Sequence, residues 1–133
     1  MYTVIRFIAS ETPTAGEQAA LANVRAALDE ELRRKTHPEP QRHRHRKVDC
    51  PVSRDDDWGT HLADVKAFLR TYAGAIRQAS QEGLWVVIDT AVYPSDVTGG
   101  GEYARLTVGF DRDALSLLVE LNVALDMSFY NIG

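Results

Sequence analysis

Leu62, Val65, Leu69, Tyr72, Ile76 and Ala79 recur at steps of three and four, the repeat that lines side chains along one face of an α-helix. Thr60 can cap this helix, Phe68 and Ala73 widen its stripe, and Gly83 stops it. A helix with one apolar face must bury that face against another layer. The rest of the chain has to supply that layer.

Two shorter helices and several strands answer the need. Thr14 and Glu17 have capping-box spacing, with Pro13 just ahead, and Leu21, Val24, Leu28 and Leu32 give a stripe to about Arg34. His37-Pro38-Glu39-Pro40 ends that helix. Asp111 caps a third helix, with Ala114, Leu115, Leu118 and Leu121 as its stripe. Tyr2 to Ala9 reads as an interior strand, apolar on both faces. Lys47 to Ser53 is a short strand that Pro51 confines to a sheet edge. Leu84 to Tyr93 and Tyr103 to Phe110 form a hairpin across Pro94 to Gly101, and Leu125 to Ile132 closes the chain. From the edge strand onward the order is βαββαβ, the split βαβ pattern of ferredoxin-like sheets, preceded by a β-α unit. The expected fold is α+β: an antiparallel sheet of four to five strands with three helices on one face.

At 133 residues the chain fits one domain, 1–133, that buries roughly two-thirds of its extended surface. Hydrophobic residues at 44% and charged residues at 26% match a globular protein and exclude a disordered one. The longest apolar run, Leu84 to Ile88, is far short of the ~20 residues of a membrane helix. Met1 to Arg6 lacks the pattern of a secretory signal. Cys50 is the one cysteine and has no disulfide partner within the chain, in keeping with a reducing compartment. The expectation is a soluble cytoplasmic protein.

Charge is unevenly laid out. Residues 33–47, a basic insertion, hold seven of the 15 Lys and Arg and one of the 19 acidic residues, in a chain of net charge −4. The insertion is therefore +6 and the remainder −10. Asp55-Asp56-Asp57 follows soon after. Such a dipolar chain steers charged partners, with a strength that salt screens. The same stretch also reads as a solvated loop that only keeps the chain soluble.

Constellations with catalytic chemistry are weak. His43, His45 and Cys50 do not make paired zinc spacing, and interleaved arginines repel a dication, so no metal and no cofactor is expected. An acidic body and a basic stretch without aromatics argue against nucleic acid as main partner. Gly99-Gly100-Gly101 lacks a phosphate-loop ending, and no serine has a nucleophile-elbow context. Asp89 lies on an apolar strand face with Trp85 and Tyr93, which calls for a partner such as an arginine or a tyrosine hydroxyl, or for an open solvent-facing sheet surface. Asp126 occupies a similar place, and structural pairing is the expectation for both over an acid-base pair.

Asp57-Trp58-Gly59-Thr60-His61-Leu62, the helix to Ile76, Val87 to Tyr93 and the ending Leu121 to Tyr130 together resemble a bacterial family known as domain of unknown function 4279. The resemblance covers Trp58 to Tyr130 and rests on fold positions: a tryptophan before a long helix, a hairpin, a leucine-rich helix and a closing strand. The basic insertion has no counterpart in that pattern. Proteins of this kind look like immunity proteins of bacterial toxin systems, small cytoplasmic partners that bind and silence a toxin domain. The resemblance implies no catalytic residues.

The expected function is thus a non-enzymatic immunity protein that inhibits a cognate bacterial toxin by protein–protein contact. Arg42, Arg44 and Arg46 are the first candidate contacts, because arginine is enriched at interface hot spots. Trp58 and the acids Asp55, Asp56 and Asp57 are the second, although Trp58 equally suits packing beneath its helix. The alternative is a small-molecule-binding or regulatory ferredoxin-like module without catalysis, with a pocket at Trp85, Tyr93 and Asp89.

Overall fold

The computed structural model describes residues 1–35, 45–93 and 109–129. In chain order these form β1 (Tyr2–Ile8), α1 (Ala15–Ala27), α2 (Asp29–Lys35), β2 (Lys47–Ser53), α3 (Trp58–Thr71), α4 (Ala73–Gln81), β3 (Trp85–Val92), α5 (Arg112–Leu121) and β4 (Ala124–Phe129). The fold is α+β, with a four-stranded sheet in the order β2-β1-β3-β4.

Alternation along the strands decides which face meets the helices. Ile5 and Phe7 of β1, Val48 and Cys50 of β2, and Val86 and Ile88 of β3 project to one side and are buried. Against them pack Leu21, Val24 and Leu28 from the first helical segment, Val65 and Leu69 of α3, Ile76 of α4, and Leu118 and Leu121 of α5. β1 is apolar on both faces and lies between β2 and β3, the interior position its composition demands. β2 is an edge strand among the described residues, as Pro51 requires.

Three expectations need correction. The sheet is mixed, not antiparallel: β4 runs parallel to β3, with Ile88 opposite Leu125 and Thr90 opposite Met127. Parallel neighbours need a crossover, and α5 lies in the connection between them. The β1 strand is not an appendage to a ferredoxin-like core, because it sits between β2 and β3. The three expected helices are five among the described residues. The first breaks at Leu28 and the second at Tyr72, single residues with φ near −100° and ψ of 11° and 18°. Apolar spacing runs straight across each break, so periodicity alone reads one helix. The hairpin tip and most of its second strand, from Pro94 to Val108, lie outside the described residues, as do Tyr130 to Gly133.

Caps follow local chemistry. Thr14 and Glu17 make the expected capping box on α1, and Glu17 also accepts from the Ser10 backbone N–H at 2.6 Å. α3 starts earlier than expected. Asp57 caps it, Oδ2 accepting from the Thr60 N–H and hydroxyl, each at 2.9 Å. Hydrogen bonds from the Thr60 backbone, then its side chain, hold the Asp57 carboxyl below its ordinary range. Asp57→Ala is expected to lower stability by about 1 kcal/mol, the usual worth of such a cap; a denaturation midpoint identical to wild type would remove the cap from the account. Gly83 ends α4 at φ 96°, a left-handed conformation that suits glycine.

A ladder of ion pairs fastens α5 to its neighbours. Lys66 of α3 reaches Asp111 at 2.8 Å, Arg70 pairs with Asp113, and Arg77 of α4 reaches Glu120 at 3.2 Å. These pairs are exposed, so they set orientation more than stability.

Candidate functional site

The candidate contact residues do not form one patch. Arg42 and Arg44 lie outside the described residues. Arg46 is half-buried where the chain enters β2: its carbonyl accepts from the Ala9 N–H at 2.7 Å, and its Nε is buried without a hydrogen-bond partner among the described residues. The ends of the basic insertion are neutralised locally. Arg33 pairs with Asp29 at 3.1 Å, Arg34 with Glu31 at 3.2 Å, and Lys47 with Asp49 at 2.9 Å. The +6 of the insertion is thus offset at both ends by carboxylates just beyond or near its limits.

Trp58 turns inward. Its ring stacks on His61 with centroids 5.5 Å apart, meets Phe110 edge-on at 5.4 Å, and its Nε1–H donates to the Gly109 carbonyl at 2.9 Å. Asp55, Asp56 and Asp57 are engaged in the turn before α3. Asp55 Oδ1 accepts from the Asp57 N–H at 2.9 Å, Asp56 lies 2.9 Å from the Met1 amino group, and Asp57 is the cap. This is the geometry of a structured turn, with side chains spent on backbone donors.

Behind that turn a polar chain enters the core. His61, fully buried, makes contacts from both ring nitrogens: Nδ1 with the Asp55 carbonyl at 2.8 Å and Nε2 with Thr3 Oγ1 at 2.5 Å. Thr3 Oγ1 is in turn 2.8 Å from Thr90 Oγ1. A carbonyl only accepts, so Nδ1 carries a proton. In the neutral ring Nε2 must then accept from Thr3, and Thr3 must accept from Thr90. Burial pulls the His61 pKa below its ordinary value, against the pull of the Asp55 carbonyl, and so keeps the ring neutral.

On the opposite sheet face Asp89 finds the arginine that its apolar surroundings require. Arg6 Nη1 donates to Oδ2 at 2.6 Å, and the Ser128 hydroxyl donates to Oδ1 at 3.2 Å. Burial lowers the Arg6 pKa, but the hydrogen bond to Asp89 and the charges of Asp49 and Asp89 outweigh it and raise the value overall. Asp126 stands beside Asp89 in the parallel ladder and is exposed. The arrangement is an ion pair closed by a hydroxyl, a structural pairing.

Of the candidate metal ligands, His45 is exposed and Cys50 fully buried, and His43 lies outside the described residues. No group of three His, Cys, Asp or Glu suited to a metal occurs among the described residues.

Two surface features have no local signature in the sequence. One is a depression of about 340 Å³ where β3 and β4 begin and α5 ends. Trp85, 59% exposed, and Val119, 81% exposed, both line it, while neither Asp89 nor Tyr93 does. The other is a groove of about 590 Å³ between α2 and α3 over the end of β2. Asp64, Phe68 and Thr71 sit on its α3 wall at steps of four and three, a second stripe masked in the sequence by the stronger apolar one.

Compared with family models, with curated proteins and with solved structures, the chain matches none. No helix among the described residues is long and apolar enough to cross a membrane.

Proposed function

We propose that this chain is a non-catalytic protein-binding module of the toxin-immunity kind, acting in the cytoplasm by covering a cognate bacterial toxin domain. The observation that carries the reading is the exposure of Trp85 and Val119 on one depression. Leu115 precedes Val119 by one helical turn and Leu125 follows Ala124 in β4; both are exposed, although neither lines the depression. Large apolar side chains left in water together mark interaction sites, and a tryptophan in such a setting is a hot-spot type. The family resemblance points the same way from the pattern between Trp58 and Tyr130.

In this reading Trp85 and Val119 supply buried contact, while Arg42, Arg44 and Arg46 speed encounter through charge. Trp58 and Asp55 to Asp57 shape the turn ahead of α3 and act indirectly. The test is binding to the C-terminal domain of a secreted toxin encoded beside this gene. Trp85→Ala with Val119→Asp is expected to weaken affinity by about 30-fold or more, the scale of a hot spot of ≥ 2 kcal/mol. Arg42→Glu with Arg44→Glu is expected to slow association and reduce its salt dependence; Arg46 is left intact because its chain is part-buried. Wild-type affinity and association rate in both variants, or no binding at all by the parent chain, would sink the reading.

A further inference from the structure

The groove between α2 and α3 shares no residue with the depression at Trp85 and Val119, and its chemistry is of another kind. Its floor is apolar, from Val52 and Phe68, and its walls carry two charges of each sign: Arg34 and Arg54, Glu31 and Asp64. Their internal contacts differ in what they leave available. The Glu31 carboxylate is 12% exposed and bound on Oε1 by Arg34 at 3.2 Å and by the Tyr72 hydroxyl at 3.1 Å. That carboxylate is therefore already engaged by the groove's own groups, while Arg34 itself is 60% exposed.

Arg54 and Asp64 are held without being used up. The Arg54 guanidinium carbon lies over the Tyr2 ring, 5.2 Å from its centre, a cation–π contact that consumes none of the five N–H donors in a hydrogen bond. Asp64 accepts one hydrogen bond, from the Ser53 hydroxyl at 2.8 Å, on Oδ2. Its residue is exposed, and a carboxylate has room for further donors. Ser53 lies next to Arg54 in the chain, so it holds Asp64 at the same strand end. A cation and an anion, each with hydrogen-bonding capacity to spare, thus line one groove over an apolar floor.

Charge balance selects the ligand. A simple anion drawn to Arg54 meets Asp64 and Glu31; a simple cation drawn to Asp64 meets Arg34 and Arg54. A molecule that carries both signs and an apolar body satisfies every wall. The groove's volume falls within the range of small-molecule sites. We infer that this groove binds a small apolar zwitterion of dipeptide size, its carboxylate on Arg54, its ammonium on Asp64 and its side chains over Phe68 and Val52.

The experiment uses leucyl-phenylalanine, its N-acetyl derivative and its C-terminal amide, each at ~10 mM, with thermal unfolding of the full chain as readout. The free dipeptide is expected to raise the melting temperature by a few degrees, and each blocked derivative to lose most of that rise. Arg54→Gln and Asp64→Asn, which remove the charge and keep a polar group, are each expected to abolish it. No rise with the free dipeptide overturns the inference. So does an equal rise with both blocked forms, a comparison that needs no variant. A rise that survives in both variants would place binding elsewhere on the molecule and overturn it equally. Toxin binding is measured separately and is untouched by any of these results.

Discussion

Phe7→Ala is expected to cost about 3–5 kcal/mol of folding stability, measured as a lowered urea midpoint with an unchanged slope. Phe7 is fully buried on the helix side of β1, a strand with a neighbour on each side, facing Val48 across one ladder and Val86 across the other. Truncation there removes an aromatic ring from a site where sheet and helices meet, and strands paired on both sides cannot collapse to fill the void. Native stabilities of about 5–15 kcal/mol leave little margin after such a loss. The control is Val119→Ala, at a side chain 81% exposed, where a change within about 0.5 kcal/mol is expected. A loss below about 1 kcal/mol at Phe7 would mean that the helical layer does not press on the centre of this sheet.

Local chemistry was readable and pairing was not. The Thr14–Glu17 box, the Asp111 cap and the Gly83 stop depend on residues within a turn of one another, so spacing alone exposes them. The direction of β4 depends on where the chain returns after α5, and alternation in Leu125 to Phe129 is the same whichever way the strand runs. The breaks at Leu28 and Tyr72 leave the three-four spacing intact, and so leave no trace in it.

The same division runs through the candidate site. That Asp89 needs either a partner or solvent follows from its apolar neighbours; that it has a partner, and that this is Arg6, follows only from the cross-strand register. Trp58 showed its apolar body in sequence, but its tie to Gly109 spans 51 residues. The acids at 55–57 looked like a charged patch because their backbone donors, Asp57 and Thr60, are invisible until the turn is built. Arg34 and Arg54 belong to different segments until α2 lies beside β2.

Acid is expected to destabilise this protein before its carboxylates titrate, and His61 is the reason. The unfolded chain takes up the proton near the ordinary value of 6.5; the folded chain resists until the pH is lower, because burial depresses the pKa. The unfolded state therefore binds more protons across that window. Stability is full above about pH 6.5 and falls as pH drops towards the folded pKa, at about 1.4 kcal/mol per unit of separation. The carboxyls of Asp57 and Asp111, themselves held below their ordinary value, lose their contribution only at lower pH, so the two effects separate. Structure explains the resistance: a second proton on His61 would sit on Nε2 and face Thr3, forcing Thr3 and Thr90 to reverse their hydroxyls. His61→Leu removes the titrating group and leaves the Asp55 carbonyl and the Thr3 hydroxyl short of a partner. The variant is expected to be about 2–6 kcal/mol less stable at neutral pH, since each of the two polar groups left short of a partner costs about 1–3 kcal/mol. Between about pH 7.5 and about pH 5 its midpoint is expected to stay level while that of the wild type declines. Parallel declines in both would show that the acid sensitivity resides in other groups, and a variant as stable as wild type would show that the chain from Asp55 to Thr90 does not hold the turn against the sheet.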